Sequence, residues 1–389
     1  MKNNSSFWVV KTVIWLLVIL SILLLVVLPL VTSLLLGYGD VPSSYLKYIR
    51  IVETLQSFFM RGFIGLWFFF LGSCFASFLN VVAWRVPRGR SILGSSRCPH
   101  CDTRLSFKDN VPVLGWLKNA GACSFCNAPI APRYFLVEVL LGAIFLLLTM
   151  VCLYSGGINI PFRTANHPIG FERNLFGPQT GLIPILAHHL TLLSFLFTFA
   201  LVRFERMAIP ISIFYTGAIF GVAFALLFPV VQIVGWLNPT TTPANYDTFS
   251  MGQPLTMVFG AVSGTFCGAL MTLDPQARRA AILSMSLTGI FLGWQAVLSV
   301  CAITLILHLV TTLVPLTPSE DSWTWPSKVL AGVLVHLVFW NPLTLLDGYW
   351  ISHSSSWVQI ILFLLALGLG LFLGNVLSYA KPNPEQLAE

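Results

Sequence analysis

The chain has 389 residues, of which 9% are charged and 56% hydrophobic, with a mean hydropathy of +0.84. Soluble proteins carry about 25% charged residues, so this composition excludes a soluble globular fold. The net charge of +7 gathers largely in one loop, which speaks for membrane orientation and against nucleic-acid binding.

The first apolar run extends from about Phe7 to Leu36, with only Lys11 inside it, and reads as an uncleaved membrane anchor. A linker with Lys47, Arg50 and Arg61 leads to a second run, about Phe63 to Trp84. A polar island follows, and a third run covers about Phe135 to Tyr154. A loop rich in glycine and proline, with Gly156, Gly157, Pro161, Pro168 and Pro178, separates it from a fourth, about Leu182 to Val202. The basic turn Arg203 to Arg206 precedes a fifth, about Ile209 to Val230. After a loop with Asn238 and Pro239 comes a sixth, about Leu255 to Leu273, and then the charged stretch Asp274 to Arg279.

Ala280 to Val314 is a run of 35 uncharged residues. At 1.5 Å per residue one straight helix of that length exceeds a bilayer, so it breaks near Gly289 or Gly293 or makes two spans. Runs at about Lys328 to Leu346 and Trp357 to Ser378 bring the expected number of transmembrane helices to nine or ten. The expected fold is therefore all-α and polytopic, with a small zinc-knuckle loop. Its divisions are an extra anchor and linker (1–62), a helix with the polar island (63–134) and a polytopic membrane domain (135–389).

The island carries Cys98-x-x-Cys101 and Cys123-x-x-Cys126, separated by 21 residues. That spacing matches a structural zinc site in which each pair forms one knuckle. Eight Lys or Arg between Arg85 and Arg133, against Asp102 and Asp109, place the island in the cytoplasm. A reducing compartment disfavours disulfides there. A structural zinc on Cys98, Cys101, Cys123 and Cys126 is the expected ligand, and a knuckle that keeps its shape without metal is the alternative. His100, inside the first knuckle, reads as a surface residue. Cys74, Cys152, Cys267 and Cys301 read as small buried hydrophobes.

These residues also carry a resemblance. Gly72-Ser73, Ser77-Phe-Leu-Asn80, Arg85-x-Pro87-Arg-Gly89, the first knuckle, Asp109-Asn110-Val-Pro112 with Trp116, the second knuckle, Pro129-Ile130, Arg133-Tyr134 and Glu138 resemble the amino-terminal region of prepilin peptidases. Weaker likeness continues through Phe259 to Gly264 and Leu292 to Gln295, to about Leu346. The family consists of multi-pass aspartic peptidases of the bacterial inner membrane. The resemblance implies handling of the basic leaders of type IV prepilins and type II secretion pseudopilins at the cytoplasmic face. It also implies a possible S-adenosylmethionine-dependent methylation of the new amino terminus. The lipid bilayer and prepilin-like proteins are the implied partners.

The family's chemistry needs two aspartates that share a proton, because close carboxylates do not both ionise. This chain departs at both places. Anchored on Ile209-Pro210, the first position is Arg203, which never deprotonates in proteins. Anchored on Gly293-Trp294-Gln295, the second is Ala281. Glu205 and Asp274 are the acids nearest those positions on the same face and form the candidate pair, and Asp347 is a third candidate if the 35-residue run is a single span. Their plainer readings are an interfacial ion pair with Arg203 or Arg206 for Glu205, and a helix-end residue before Pro275 for Asp274. His188-His189 invites a metal or proton role, set against simple packing. The function expected is a prepilin peptidase-like protein with lost or altered peptidase activity. The alternative is a non-catalytic zinc-knuckle scaffold or docking protein of a pilus or secretion assembly.

Overall fold

The structure, a computed structural model, describes residues 43–161, 181–234, 252–313 and 324–344. The runs Phe7 to Leu36 and Trp357 to Ser378, the loop at Asn238-Pro239 and Asp347 lie outside these residues. Among the described residues there are helices and loops and no strand, only two isolated β-bridges in the island.

Helix α1 (Ser43–Arg85) ends at the island, whose short helix α2 (Leu114–Lys118) is followed by α3 (Pro132–Leu148). A π-helical turn, Thr149–Tyr154, prolongs α3. α1 and α3 leave and re-enter the island and pack against each other through two glycines. A Cβ on Gly72 would lie 2.7 Å from the Phe145 ring, and one on Gly142 would lie 2.6 Å from Ser73 Oγ. Without side chains at these points the two backbones close up, which is how small residues serve helix pairs in lipid.

α4 (Leu182–Phe204) is the most enclosed of the apolar helices. It runs back towards the island, where α5 (Ile211–Leu227) begins. Gly217 and Gly221 of α5 lie against Phe195 of α4 and Phe291 of α7 (Pro275–Leu292). α6 (Gly252–Leu270) and α7 form the tightest pair. Gly260, Gly264 and Gly268 repeat every four residues along one face of α6 and meet Gly289, Met285 and Ile282 of α7 in antiparallel order. At Gly260, Gly264 and Gly289 an added Cβ would sit inside the facing carbonyl.

α7 stops where Gly293 takes φ 84 and donates its N–H to Gly289 O, and α8 (Trp294–Leu313) starts at the next residue. The long uncharged run thus breaks at Gly293, in a left-handed conformation that favours glycine. α9 (Trp325–Thr344) bends at Phe339, three residues ahead of Pro342, as expected where a proline removes a hydrogen bond and its ring crowds the preceding turn. Asn159, beyond α3, ties down this bend by donating to Leu337 O at 2.8 Å and accepting from Asn341 N at 3.0 Å.

Among the described residues, five helical stretches are long and apolar enough to cross a membrane: α1 from Phe58, α3 with its π-turn, α4, α8 and α9. α5 is apolar but shorter. In the α6–α7 pair the spacing between facing backbones leaves no room for even one methyl. Replacing Gly264 with Val should therefore destabilise the protein by about 1–3 kcal/mol or prevent assembly, the cost of overpacking a tight interface. Unfolding in mixed micelles would measure it, with Gly62→Val, where a Cβ meets open space, as the control.

Candidate functional site

The two knuckles are built alike. In the first, Cys98 N donates to Thr103 O at 3.1 Å, and Asp102 N donates to Cys98 O at 2.9 Å. In the second, Cys123 N donates to Ala128 O at 2.8 Å and Asn127 N to Cys123 O at 3.0 Å. Asp102 (φ 51) and Asn127 (φ 58), each directly after the second cysteine of its pair, take the left-handed conformation that Asp and Asn tolerate best among residues with a side chain. The turns bring the four thiols together, so that all four sulfurs lie within 4.8 Å of one another. Cys98 Sγ and Cys126 Sγ are 3.8 Å apart. A tetrahedral site with metal–sulfur bonds of about 2.3 Å has sulfur–sulfur edges of about 3.8 Å, so the donor set and its spacing fit zinc. Hydrogen bonds from the Thr103 hydroxyl and backbone hold the Cys101 thiol down to about 6, which favours the thiolate that binds metal. His100 is exposed, outside this shell.

Between the knuckles, Asp109 organises the loop. Its carboxylate accepts from Ser106 Oγ at 2.6 Å, Asn119 Nδ2 at 3.0 Å, Ser124 Oγ at 3.1 Å and Lys118 Nζ at 3.4 Å. The Ser106 bond first, with those from Asn119, Ser124 and Lys118, holds the Asp109 carboxyl down to about 2. One acid thus joins the segment after the first knuckle to the second.

The island is fastened to the helices at three points. Trp116 stacks on Phe135 of α3 at 4.9 Å and donates Nε1 to Ile130 O at 3.3 Å. Glu138, one turn further along α3, accepts from Val113 N at 2.7 Å. Val113 has φ 62, an outlier for a β-branched residue. The third point is Glu205 at the end of α4, which pairs with Arg88, just after α1, at 3.2 Å and with Arg133, at the start of α3. Arg133 also donates to Asn80 Oδ1 at 3.4 Å. One carboxylate therefore holds the two ends of the island and the end of α4 together.

Glu205 is an ion-pair residue, but its partners are Arg88 and Arg133, remote in sequence, whereas Arg203 donates to Met207 O at 3.2 Å. Asp274 caps α7, accepting from Ala277 N at 2.7 Å, with Pro275 at the first helical position. It lies at the island end of the bundle, because Phe291 at the other end of α7 meets His188 near the far end of α4. Glu205 and Asp274 share that end without contacting each other. Ala281 is fully buried against Gly268. His188 and His189 are buried by packing: His188 lies 4.5 Å from the Phe291 ring and His189 6.0 Å from Trp340. Among the described residues only the four cysteines gather as a metal-binding group. The anchoring roles of Arg88, Arg133, Asp109 and Glu138 escape sequence reasoning, although all four fall within the motif that carries the resemblance.

Residues 70–152 match the family model for the bacterial peptidase A24 N-terminal domain. A prepilin leader peptidase/N-methyltransferase of Myxococcus xanthus is 34% identical over 236 residues, 53% of this chain and 62% of that protein. This chain is similar to prepilin peptidases over those residues. A type 4 prepilin-like proteins leader peptide-processing enzyme of Escherichia coli O78:H11 is 38% identical over 104 residues, 22% of this chain and 39% of the relative. A prepilin leader peptidase/N-methyltransferase of Dichelobacter nodosus is 35% identical over 122 residues, 24% and 41% of the two chains. The match thus spans less than two thirds of each of these relatives. No solved structure matches significantly.

Two measurements check this geometry. Asp109 is held below its ordinary value of 3.8, so the stability it contributes is complete above about pH 4 and is lost as pH falls through about 2. An Asp109→Asn variant should be less stable than the parent at neutral pH, and the gap should close over that interval in thermal unfolding. Glu205→Gln should loosen the island and speed its proteolytic nicking, at a cost of about 1 kcal/mol, because both arginines are partly solvated. In a double-mutant cycle with Arg133→Gln the two effects should be strongly non-additive.

Proposed function

We propose that this chain is a prepilin peptidase-like protein of the bacterial inner membrane that engages type IV prepilin or pseudopilin leader peptides with its island on the cytoplasmic face. Aspartic peptidase activity is lost or altered in it. The observation that carries this reading is the pairing of an intact two-knuckle island, docked on α1, α3 and α4, with Arg203 and Ala281 at the positions where the family's chemistry needs aspartates. Ala281 has no proton to transfer and no space around it. Arg203 carries a fixed charge of the wrong sign for a general base.

Any residual hydrolysis rests on Glu205 and Asp274. For Glu205 to act as a base it has to leave two arginines, and for Asp274 to act it has to uncap α7. Both moves oppose the arrangement described above, which supports binding over cleavage. Zinc on Cys98, Cys101, Cys123 and Cys126 has a structural role, because four thiolates complete its shell and leave no open position for water. It cross-links the knuckles and so keeps the island's shape. The N-methyltransferase function in the names of the Myxococcus and Dichelobacter relatives makes S-adenosylmethionine a candidate cofactor.

A cleavage assay in membranes with a prepilin-like substrate tests the reading. The expected result is binding of substrate by co-purification with no turnover above background. Robust cleavage lost in Glu205→Gln or Asp274→Asn would establish a relocated catalytic pair, and cleavage untouched by either variant would remove that pair from consideration. Neither binding nor cleavage would leave the island as a docking module for other assembly proteins. In parallel, protein purified without chelators should hold one equivalent of zinc, and Cys98→Ser with Cys123→Ser should abolish it and expose the island to protease.

A further inference from the structure

The two faces of the short helix α2 differ. Gly115 turns towards the loop, where an added Cβ would lie 2.3 Å from Asp109 O, and Trp116 stacks on Phe135 of α3. Leu114, Leu117 and Lys118, three and four residues apart, share the other face. Leu114 is 55% exposed and Leu117 53%, so an apolar face ending in a lysine points away from the protein.

The level of that face decides what covers it. Val113, the residue ahead of α2, donates to Glu138, which stands six residues along α3 from Pro132. Six residues of helix advance about 9 Å. Pro132–Tyr154 is one of the stretches long and apolar enough to cross a membrane, so α2 lies beside the first turns of such a stretch and not beyond its end. Across the island the loop after α1 reaches a similar level, since Ile92 lines one apolar groove with Val86, just after α1, and Ile213, near the start of α5. A short helix at this height, apolar on its outer side, has the place and character of an interfacial segment.

Charge favours an anionic surface over a neutral one. Eight Lys or Arg lie between Arg85 and Arg133, against two acids. Both acids are engaged: Asp102 pairs with Arg97 at 2.9 Å, and Asp109 is enclosed by Ser106, Asn119, Ser124 and Lys118. Lys118 spends one ammonium proton on that 3.4 Å bond and keeps its side chain 46% exposed, with donors left over for phosphate. Its stem can lie along the two leucines while its head reaches headgroup oxygens.

We infer that α2 is an interfacial helix that seats the island in the headgroup layer of an anionic leaflet, with Leu114 and Leu117 among the upper acyl chains and Lys118 on lipid phosphate. The partner is the lipid surface, and the inference stands whether or not the island also engages a leader peptide.

The experiment uses the full chain with a fluorescent amino acid in place of Leu117. The protein is placed in vesicles of phosphatidylcholine, with or without phosphatidylglycerol, that carry lipid with a nitroxide near the top of one acyl chain. The probe should be quenched, and more completely with phosphatidylglycerol. The same probe at the exposed Ile306 of α8 should be quenched equally in both and serves as the control. With phosphatidylglycerol, at salt where seated and lifted forms are both populated, Lys118→Gln should lower their ratio about fivefold, the weight of one lysine near an anionic surface. Lys118→Arg should retain it, and in phosphatidylcholine alone Lys118→Gln should change little. An unquenched probe at 117 beside a quenched one at 306 overturns the inference, as does equal quenching with and without phosphatidylglycerol. An equal loss in both lipids for Lys118→Gln also overturns it, because the lysine then serves only Asp109. So does a photoreactive side chain at Leu114 that captures residues 1–42 or another polypeptide in place of lipid.

Discussion

A single carboxylate, held between two arginines from opposite ends of the island, joins the four-cysteine island to a helix bundle. Glu205 closes α4, Arg88 follows α1 and Arg133 begins α3. Each arginine is only partly covered, so water screens the pair and no single bond in it is strong. Its weight lies in geometry. Three helix ends converge on one side chain, and the orientation of the island relative to α4 follows from that point.

The membrane domain solves a different problem. Inside lipid, helices gain little from burying apolar surface against one another, and close backbone contact becomes the main attraction. The chain places glycines where two axes approach most closely: Gly72 with Gly142, Gly217 and Gly221 on α5, and the α6 row against Gly289. The position that the family's chemistry would need for its second aspartate, Ala281, falls in this α6–α7 contact. Ala281 is fully buried there, and its own carbonyl faces Gly268 of α6.

Much of this architecture is legible in the sequence. Helix positions follow from apolar runs, since a bilayer demands an uninterrupted apolar length. The break at Gly293 follows from the excess length of one run. The four-cysteine cluster follows from cysteine spacing, and the capping role of Asp274 from its place before Pro275. What stays hidden depends on contacts between distant segments. The sequence around Glu205 offers Arg203 and Arg206 as neighbours, and nothing local says that Arg88 and Arg133, remote in the chain, arrive first. Likewise Asp109 reads as one more loop acid until the fold brings Ser106, Asn119 and Ser124 around it. The glycine row on α6 is visible as a four-residue repeat, but its facing residues are set by the antiparallel register of α7.

The contact of α1 with α3 through Gly72 and Gly142 has a consequence for how the island comes to fold. These helices meet without help from the knuckles, so the two ends of the island are brought together by the membrane domain alone. Closing a long loop has an entropic penalty that grows with its length, and the contact of α1 with α3 offsets it independently of the four thiols. A metal that bound the four thiols would meet a scaffold on which Glu205 already holds Arg88 and Arg133 side by side.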